Sequence, residues 1–130
     1  MPGPKVGKVI KKILLIDDDV IIQQLVKANL VARGYKMLIA SDGEQGLKLV
    51  ESERPDLILL DIKLPGISGL DVLKILKGNS SLSGIPVIIA TASAGLVNAE
   101  KSRELGAAGF LIKPFSIDKL VLQLKQVLGE

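Results

Sequence analysis

Five short apolar runs recur along this chain, at residues 12–16, 35–40, 56–61, 86–91 and 109–112, and none alternates apolar with polar positions. Runs of that length without alternation read as strands buried on both faces, the usual state in a parallel sheet. The segments between them carry helical spacing instead. Residues 20–33 set Ile21, Leu25, Ala28 and Ala32 on one stripe, with Asp18 or Asp19 as N-cap and Gly34 just past the end. Ser41-Asp42-Gly43-Glu44 has capping-box spacing, with Ser41 at the N-cap, and predicts a helix to about Ser52 with Leu47 and Val50 turned inward. Pro55 breaks the chain before the third strand. Leu70, Leu73 and Leu76 mark a third helix that Gly78 ends, and a polar loop covers 79–84. Residues 97–105 form a weak helix with few large apolar side chains, which should be loosely held. Ile117, Leu120, Val121, Leu124, Val127 and Leu128 define a last amphipathic helix, and Leu122 lies off its buried stripe.

Strand and helix thus alternate five times. Short crossovers of this kind are right-handed and cover both faces of a parallel sheet. The fold class is α/β, a flavodoxin-like (βα)5 doubly wound parallel sheet of strand order 2-1-3-4-5 with helices on both faces. A length of 130 residues suits one domain, residues 12–130, behind a basic flexible leader at 1–11.

Hydrophobic residues make up 48% of the chain but aromatics only 2%, so Leu, Ile, Val and Ala must build the core. The absence of Cys removes disulfides and thiolate metal sites. The absence of His removes Ser-His and Cys-His catalysis, His-ligated zinc and a phosphohistidine on this chain. No apolar run reaches membrane-spanning length and no signal-peptide pattern opens the chain, so a soluble cytoplasmic protein without membrane contact is expected. The net charge of +3 is local. Four of the seventeen basic residues, Lys5, Lys8, Lys11 and Lys12, precede residue 13 with no acid among them, leaving thirteen against fourteen acids in the body. A nucleic-acid reader needs a basic face, and direct nucleic-acid binding is not expected.

Ligands of open α/β sheets bind at the C-terminal ends of the strands. There the chain sets Asp17, Asp18 and Asp19 after the first strand and Asp61 after the third. Thr91, followed by Ala92 and Ser93, ends the fourth, and Lys113 follows the fifth. Strands 1, 3, 4 and 5 are neighbours in the expected order, so these groups converge on one rim. Carboxylates sharing a pocket repel by about 4 kcal/mol per pair at ~4 Å and an effective dielectric of ~20. A hard divalent cation removes that cost, and Mg²⁺ keeps coordination positions for water and phosphate oxygens. With Lys113 as a fixed charge and Thr91 as a hydroxyl donor, the set makes a phosphoryl-binding site with Asp61 as candidate carboxylate nucleophile. Asp19 reads as the helix cap and stays outside the site.

Four stretches in order, Ile16-Asp17-Asp18, Leu60 through Gly69, Ala90-Thr91-Ala92 and Gly109 through Phe115, resemble the receiver domain of two-component response regulators. The resemblance covers the chain from about Lys12 to Leu128. It implies that Asp61 accepts a phosphoryl group from a sensor histidine kinase or phosphotransfer protein. It implies Mg²⁺ on Asp18, on Asp17 mostly through water, on Asp61 and on the backbone carbonyl of Lys63. Thr91 matches the switch hydroxyl, Lys113 the lysine that pairs with the phosphoryl group, and Phe110 the aromatic switch residue. The Lys113–Pro114 peptide bond is implied to be cis. A downstream effector, or a second copy, is expected on the face formed by the fourth helix, fifth strand and fifth helix.

Phe110 lacks the hydroxyl that some members carry, and Lys63 and Ser93 occupy positions that vary across the family and affect autodephosphorylation. Neither is a carboxylate or amide that readily orients a water, so a long-lived phosphoryl group is expected. No output domain follows Glu130, so a stand-alone receiver or a fragment of a larger regulator is expected. A Mg²⁺ phosphohydrolase with an aspartyl nucleophile needs a second carboxylate two residues on, where this chain has Lys63. The chain is therefore expected to catalyse only its own phosphorylation and slow dephosphorylation. A flavin or nucleotide binder wants a Gly/Ser/Thr-rich first loop, which Asp17-Asp18-Asp19 replaces. A phosphorylation-independent interaction module is the remaining alternative, though such relatives usually lack one of the acids or the lysine.

Overall fold

A computed structural model describes residues 10–93 and 95–130. Of the expected leader only Ile10 and Lys11 are among them; the rest lies outside the described residues. The elements run β1 (Lys12–Ile16), α1 (Val20–Ala32), β2 (Lys36–Ala40), α2 (Gly43–Glu53), β3 (Leu57–Leu60), α3 (Gly69–Gly78), β4 (Val87–Thr91), α4 (Leu96–Glu104), β5 (Gly109–Ile112) and α5 (Ile117–Leu128). All pairings are parallel in the order β2-β1-β3-β4-β5. Fold class and strand order agree with the sequence reading, and element ends differ by a residue.

The non-alternating strands serve two cores at once. On β1, Leu14 and Ile16 enter one cluster while Ile13 and Leu15 enter the other; Ile58 and Leu60 oppose Leu57 and Leu59 on β3 in the same way. The first cluster is closed by Val50 of α2 and Val72, Leu73 and Leu76 of α3, the second by Val26 and Leu30 of α1 and Leu120 and Leu124 of α5. Burial on both faces explains why the polar residues of the strands, Lys12, Lys36 and Thr91, stand only at strand ends. The α2 seam is closed by small residues. A side chain at Gly46 would collide with Ile16, so only glycine lets α2 lie this close to β1.

Two local expectations are corrected. The stripe Ile21, Leu25, Ala28, Ala32 points outward, with Ile21 75% and Leu25 42% exposed, while Ile22, Val26 and Leu30 face the sheet. α1 is apolar nearly all round, so periodicity alone leaves its rotation open; packing on Ile13, Leu15 and α5 sets it. The α2 cap is also shifted by one residue. Asp42, not Ser41, is the N-cap and accepts from the Gln45 N–H at 2.7 Å, while the Gln45 side chain accepts from the Ser41 N–H at 2.8 Å. The reciprocal pair therefore uses Asp42 and Gln45 in place of Ser41 and Glu44.

The rotation of α1 can be tested by urea unfolding. Leu30→Ala is expected to cost about 2–5 kcal/mol and Ile21→Ala no more than about 0.5 kcal/mol. The reverse order would restore the stripe read from the sequence.

Candidate functional site

The acids owe their positions to the sheet ladder. Asp17 and Asp61 each follow the last residue of a neighbouring strand. The Asp17 N–H donates to the Ala40 carbonyl at 3.0 Å and the Asp61 N–H to the Ile16 carbonyl at 3.0 Å. Gln23, on the first turn of α1, donates to the Asp17 carbonyl at 2.6 Å and to Ser41 Oγ at 3.1 Å, which fixes the β1–α1 loop. The Lys113 N–H donates to the Thr91 carbonyl at 2.9 Å, and the Lys113–Pro114 bond is cis. Three parallel strands thus deliver Asp17, Asp61 and Lys113 to one rim, as the end of such a sheet allows.

There Lys113 Nζ lies 2.5 Å from Asp17 Oδ2 and 2.9 Å from Asp61 Oδ2, and all three side chains are nearly or largely buried. The other Asp17 oxygen accepts from the Asp19 N–H at 2.9 Å. Asp61 Oδ1 is buried and has no hydrogen-bond partner among the described residues. Asp18 is exposed, yet oxygens of Asp17, Asp18 and Asp61 all lie within 4.8 Å of one another. Asp19 is the N-cap of α1, accepting from the Ile21 and Ile22 N–H groups, and takes no part in the cluster.

Burial pushes the Asp17 carboxyl above its ordinary range, outweighing the hydrogen bond and charge of Lys113. Burial alone would lower Lys113, but its bonds to Asp17 and Asp61 outweigh that and raise it. Lys113 therefore stays charged, while burial works against the ionised form of Asp17. Three hard oxygen donors, one of them on a buried carboxylate with an unpartnered atom, fit a hard divalent cation.

The remaining residues singled out from sequence surround this centre. Lys63 and Ser93 line a cleft of about 530 Å³ together with Asp18, Ile62, Leu64, Ser68 and Asn98. Thr91 is fully buried, and its Oγ1 accepts from the Ser93 N–H at 3.0 Å. Phe110 is half-buried against the first core cluster and borders a separate cavity under α4.

Sequence reading passed over three residues that shape the site. Gly69 opens α3, and a Cβ there would run into the Asp61 carbonyl oxygen; its N–H donates to the Ile62 carbonyl at 2.7 Å. The signal for a helix start at Gly69 is the helical spacing of Leu70, Leu73 and Leu76 directly after it. Gln23 left no signal, because its partners lie on other elements. Asn98, which donates to the Ser93 carbonyl at 2.6 Å, stands at the start of the weak helix, where a capping role could have been suspected.

Comparison with known proteins gives the geometry a context. Residues 13–125 match the family described as the response regulator receiver domain. The chain is 36% identical over 120 residues to the polar-differentiation response regulator DivK of Brucella anthropi, covering 92% of this chain and 98% of that protein. It is 39% identical over 118 residues to the alkaline phosphatase synthesis transcriptional regulatory protein PhoP of Bacillus subtilis, 91% of this chain but only 48% of that one. Among solved structures, a CheY-like receiver domain protein from Methanospirillum hungatei superposes with a TM-score of 0.86 at 34% identity, covering 93% of this chain and 95% of that one. A response regulator structure from Chloroflexus aurantiacus, titled as putative, reaches 0.89 at 28% identity, covering 94% and 100%.

The raised Asp17 carboxyl carries a stability consequence. A group whose folded-state affinity for protons is raised stabilises the fold below its unfolded pKa and loses that contribution as pH climbs past the folded one. At pH 7 ionised Asp17 therefore costs stability. Asp17→Asn removes this cost while Lys113 keeps Asp61 as partner. We expect the thermal midpoint of the metal-free protein to rise, by a few degrees at most. A lower midpoint would mean that the Lys113 pairing outweighs the burial of Asp17.

Proposed function

This chain belongs to the response regulator receiver domain family, and on that premise we propose that it is a phosphorylation-dependent signalling switch. It takes a phosphoryl group onto Asp61 from the phosphohistidine of a sensor histidine kinase or phosphotransfer protein. One observation carries the reading. Asp61 is held by Lys113 through one oxygen, its other, buried oxygen is unpartnered among the described residues, and Asp17 and Asp18 each bring a carboxylate oxygen within 4.8 Å of one of its own.

A carboxylate oxygen of Asp61 attacks the phosphorus. The P–O bond forms as the P–N bond breaks, and the electron pair leaves with the partner's imidazole, which takes a proton from solvent. Lys113, kept charged by its two carboxylates, neutralises charge on the transferring oxygens. The buried Thr91 hydroxyl then donates to a phosphoryl oxygen. Asp17, Asp18, Asp61 and the Lys63 carbonyl are the groups that would hold Mg²⁺, which when bound offsets the repulsion among acids and phosphoryl oxygens. Two residues after Asp61 stands Lys63 and not an acid, so the chain acts only on its own acyl phosphate and turns over no other substrate. A module indifferent to phosphorylation would have no use for this set of acids around one lysine.

Input and output use different surfaces. The stripe Ile21, Leu25, Ala28 and Ala32 is exposed on the helix that starts at the acidic rim, which suits a partner helix carrying the phosphohistidine. Ile112 on β5 and Leu122 on α5 are 59% and 58% exposed beside the weakly packed α4, and they support a face there for an effector or a second copy. The setting is the cytoplasm, where the ATP that charges a sensor kinase is found. Among the described residues no helix is long and apolar enough to cross a membrane.

With acetyl phosphate and Mg²⁺, intact mass spectrometry is expected to show one phosphoryl group, labile to hydroxylamine and missing from Asp61→Asn. Phosphate on a Ser or Thr, or an unaffected variant, would overturn the assignment. In calorimetric titration, Asp18→Asn is expected to weaken Mg²⁺ by about tenfold or more; parent-like affinity would move the metal away from this cluster.

A further inference from the structure

The loop between β4 and α4 is held by a chain of hydrogen bonds that the transfer chemistry does not itself use. The Ser93 N–H donates to Thr91 Oγ1 at 3.0 Å, and the Ser93 carbonyl accepts from Asn98 Nδ2 at 2.6 Å. Ser93 is thus gripped at both ends. Asn98 is the third residue of α4, whose N-cap, Gly95, makes no side-chain hydrogen bond. A side chain at that helical position usually reaches back to accept from the N-cap N–H. Asn98 donates instead, to a carbonyl two residues before the cap, and so ties the first turn of the helix to the loop.

Among the described side chains of α4 only Ser102 is buried, and Ser102 Oγ donates back to the Asn98 carbonyl at 2.7 Å. Beneath the helix lies a cavity of about 230 Å³ lined by Ala99, Ser102, Arg103, Ala107, Gly109 and Phe110, among others. A helix resting on small residues above a void has few contacts to lose on moving.

Resting on the functional reading above, we propose that Asn98 is a positioning residue of the phosphoryl switch. By clamping the Ser93 carbonyl it keeps the Ser93 N–H on Thr91 Oγ1 and holds that hydroxyl in its resting orientation. Asp61 Oδ1 has no partner among the described residues, so Thr91 does not reach it at rest. Turning Thr91 onto a phosphoryl oxygen gives up the Ser93 N–H bond, and how readily that happens depends on how firmly Ser93 is held. Asn98 therefore sets the resting population of the switched state, and with it the apparent affinity for anything that binds that state better.

The test uses the whole chain, saturating Mg²⁺ and the acyl-phosphate mimic beryllofluoride, followed through the Thr91 and Ser93 amide resonances. Asn98→Ala is expected to bind the mimic about three- to tenfold more tightly, the equilibrium worth of one hydrogen bond. Asn98→Gln, which keeps an amide donor, is expected to stay close to the parent. In the free protein, hydrogen exchange at the Ser93 N–H should quicken at least threefold in Asn98→Ala. A merely structural Asn98, or one that touches the ligand, gives unchanged or weaker binding on truncation, and either result overturns the proposal. So does a Gln variant that behaves like the Ala one. Should Asn98→Ala not fold, Asn98→Ser carries the same comparison. Acetyl phosphate labelling of the parent separates the two levels: an unlabelled parent sinks the functional reading, whereas a labelled parent with no gain in Asn98→Ala sinks the clamp alone.

Discussion

The structure depends on one lysine between two buried carboxylates. Asp17, Asp18 and Asp61 bring three negative charges within 4.8 Å of one another at the end of an otherwise apolar sheet. At ~4 Å and an effective dielectric of ~20, each like-charged pair costs about 4 kcal/mol. Lys113 bonds two of the three, and the third, Asp18, stays in solvent. The cluster therefore keeps a net deficit of two positive charges, which is the charge of one divalent cation. A phosphoryl group on Asp61 exchanges one negative charge for nearly two. Lys113 and Thr91 already stand where that surplus would arrive.

Around this cluster the described interior is almost entirely apolar, with Thr91 and Ser102 the other buried polar side chains. The two core clusters take alternate residues of β1, β3 and β4, almost all Leu, Ile or Val. Branched side chains with few rotamers and native-like packing make this base stiff. Gly46 lets α2 seat directly on Ile16, and Gly69 lets α3 begin against the Asp61 carbonyl. Asp61 is therefore fixed by backbone contact on one side and by Lys113 on the other. Geometry of that kind is what a transfer reaction with little covalent help from protein groups requires.

Much of this was legible in the sequence, for a physical reason. Apolar runs without alternation, each followed by a helical segment and repeated five times, leave few arrangements besides a doubly wound sheet, and parallel strands carry whatever follows each of them to one rim. Asp17, Asp61, Thr91 and Lys113 could be grouped without coordinates on that argument alone. What could not be read depends on rotation and on distance between elements. α1 has apolar residues on most of its surface, so the side that meets α5 is decided by packing and not by pattern. Asp42 and Ser41 both satisfy capping chemistry, and a single residue of register separates them. Gly69, Gln23 and Asn98 matter through the backbone they touch across the fold, which leaves no periodic trace.

The two helices that leave the site rim differ in how firmly they are held. α1 is capped by Asp19, tied to the loop by Gln23 and anchored in the core by Val26 and Leu30, yet it shows Ile21 and Leu25 to solvent. A partner can bury that surface without rearranging anything beneath it, so docking there need not disturb the acids. α4 is the opposite case: it has no side-chain cap, Ser102 is the buried side chain among those described, and a cavity lies below. Hydrogen bonds that begin at Thr91 and run through Ser93 to Asn98 tie it to the β4 end, and each is worth about 1 kcal/mol. A stiff helix with an apolar surface suits recognition and a loose helix with a polar anchor suits response, and the β1 and β4 ends place one of each on either side of the same carboxylate.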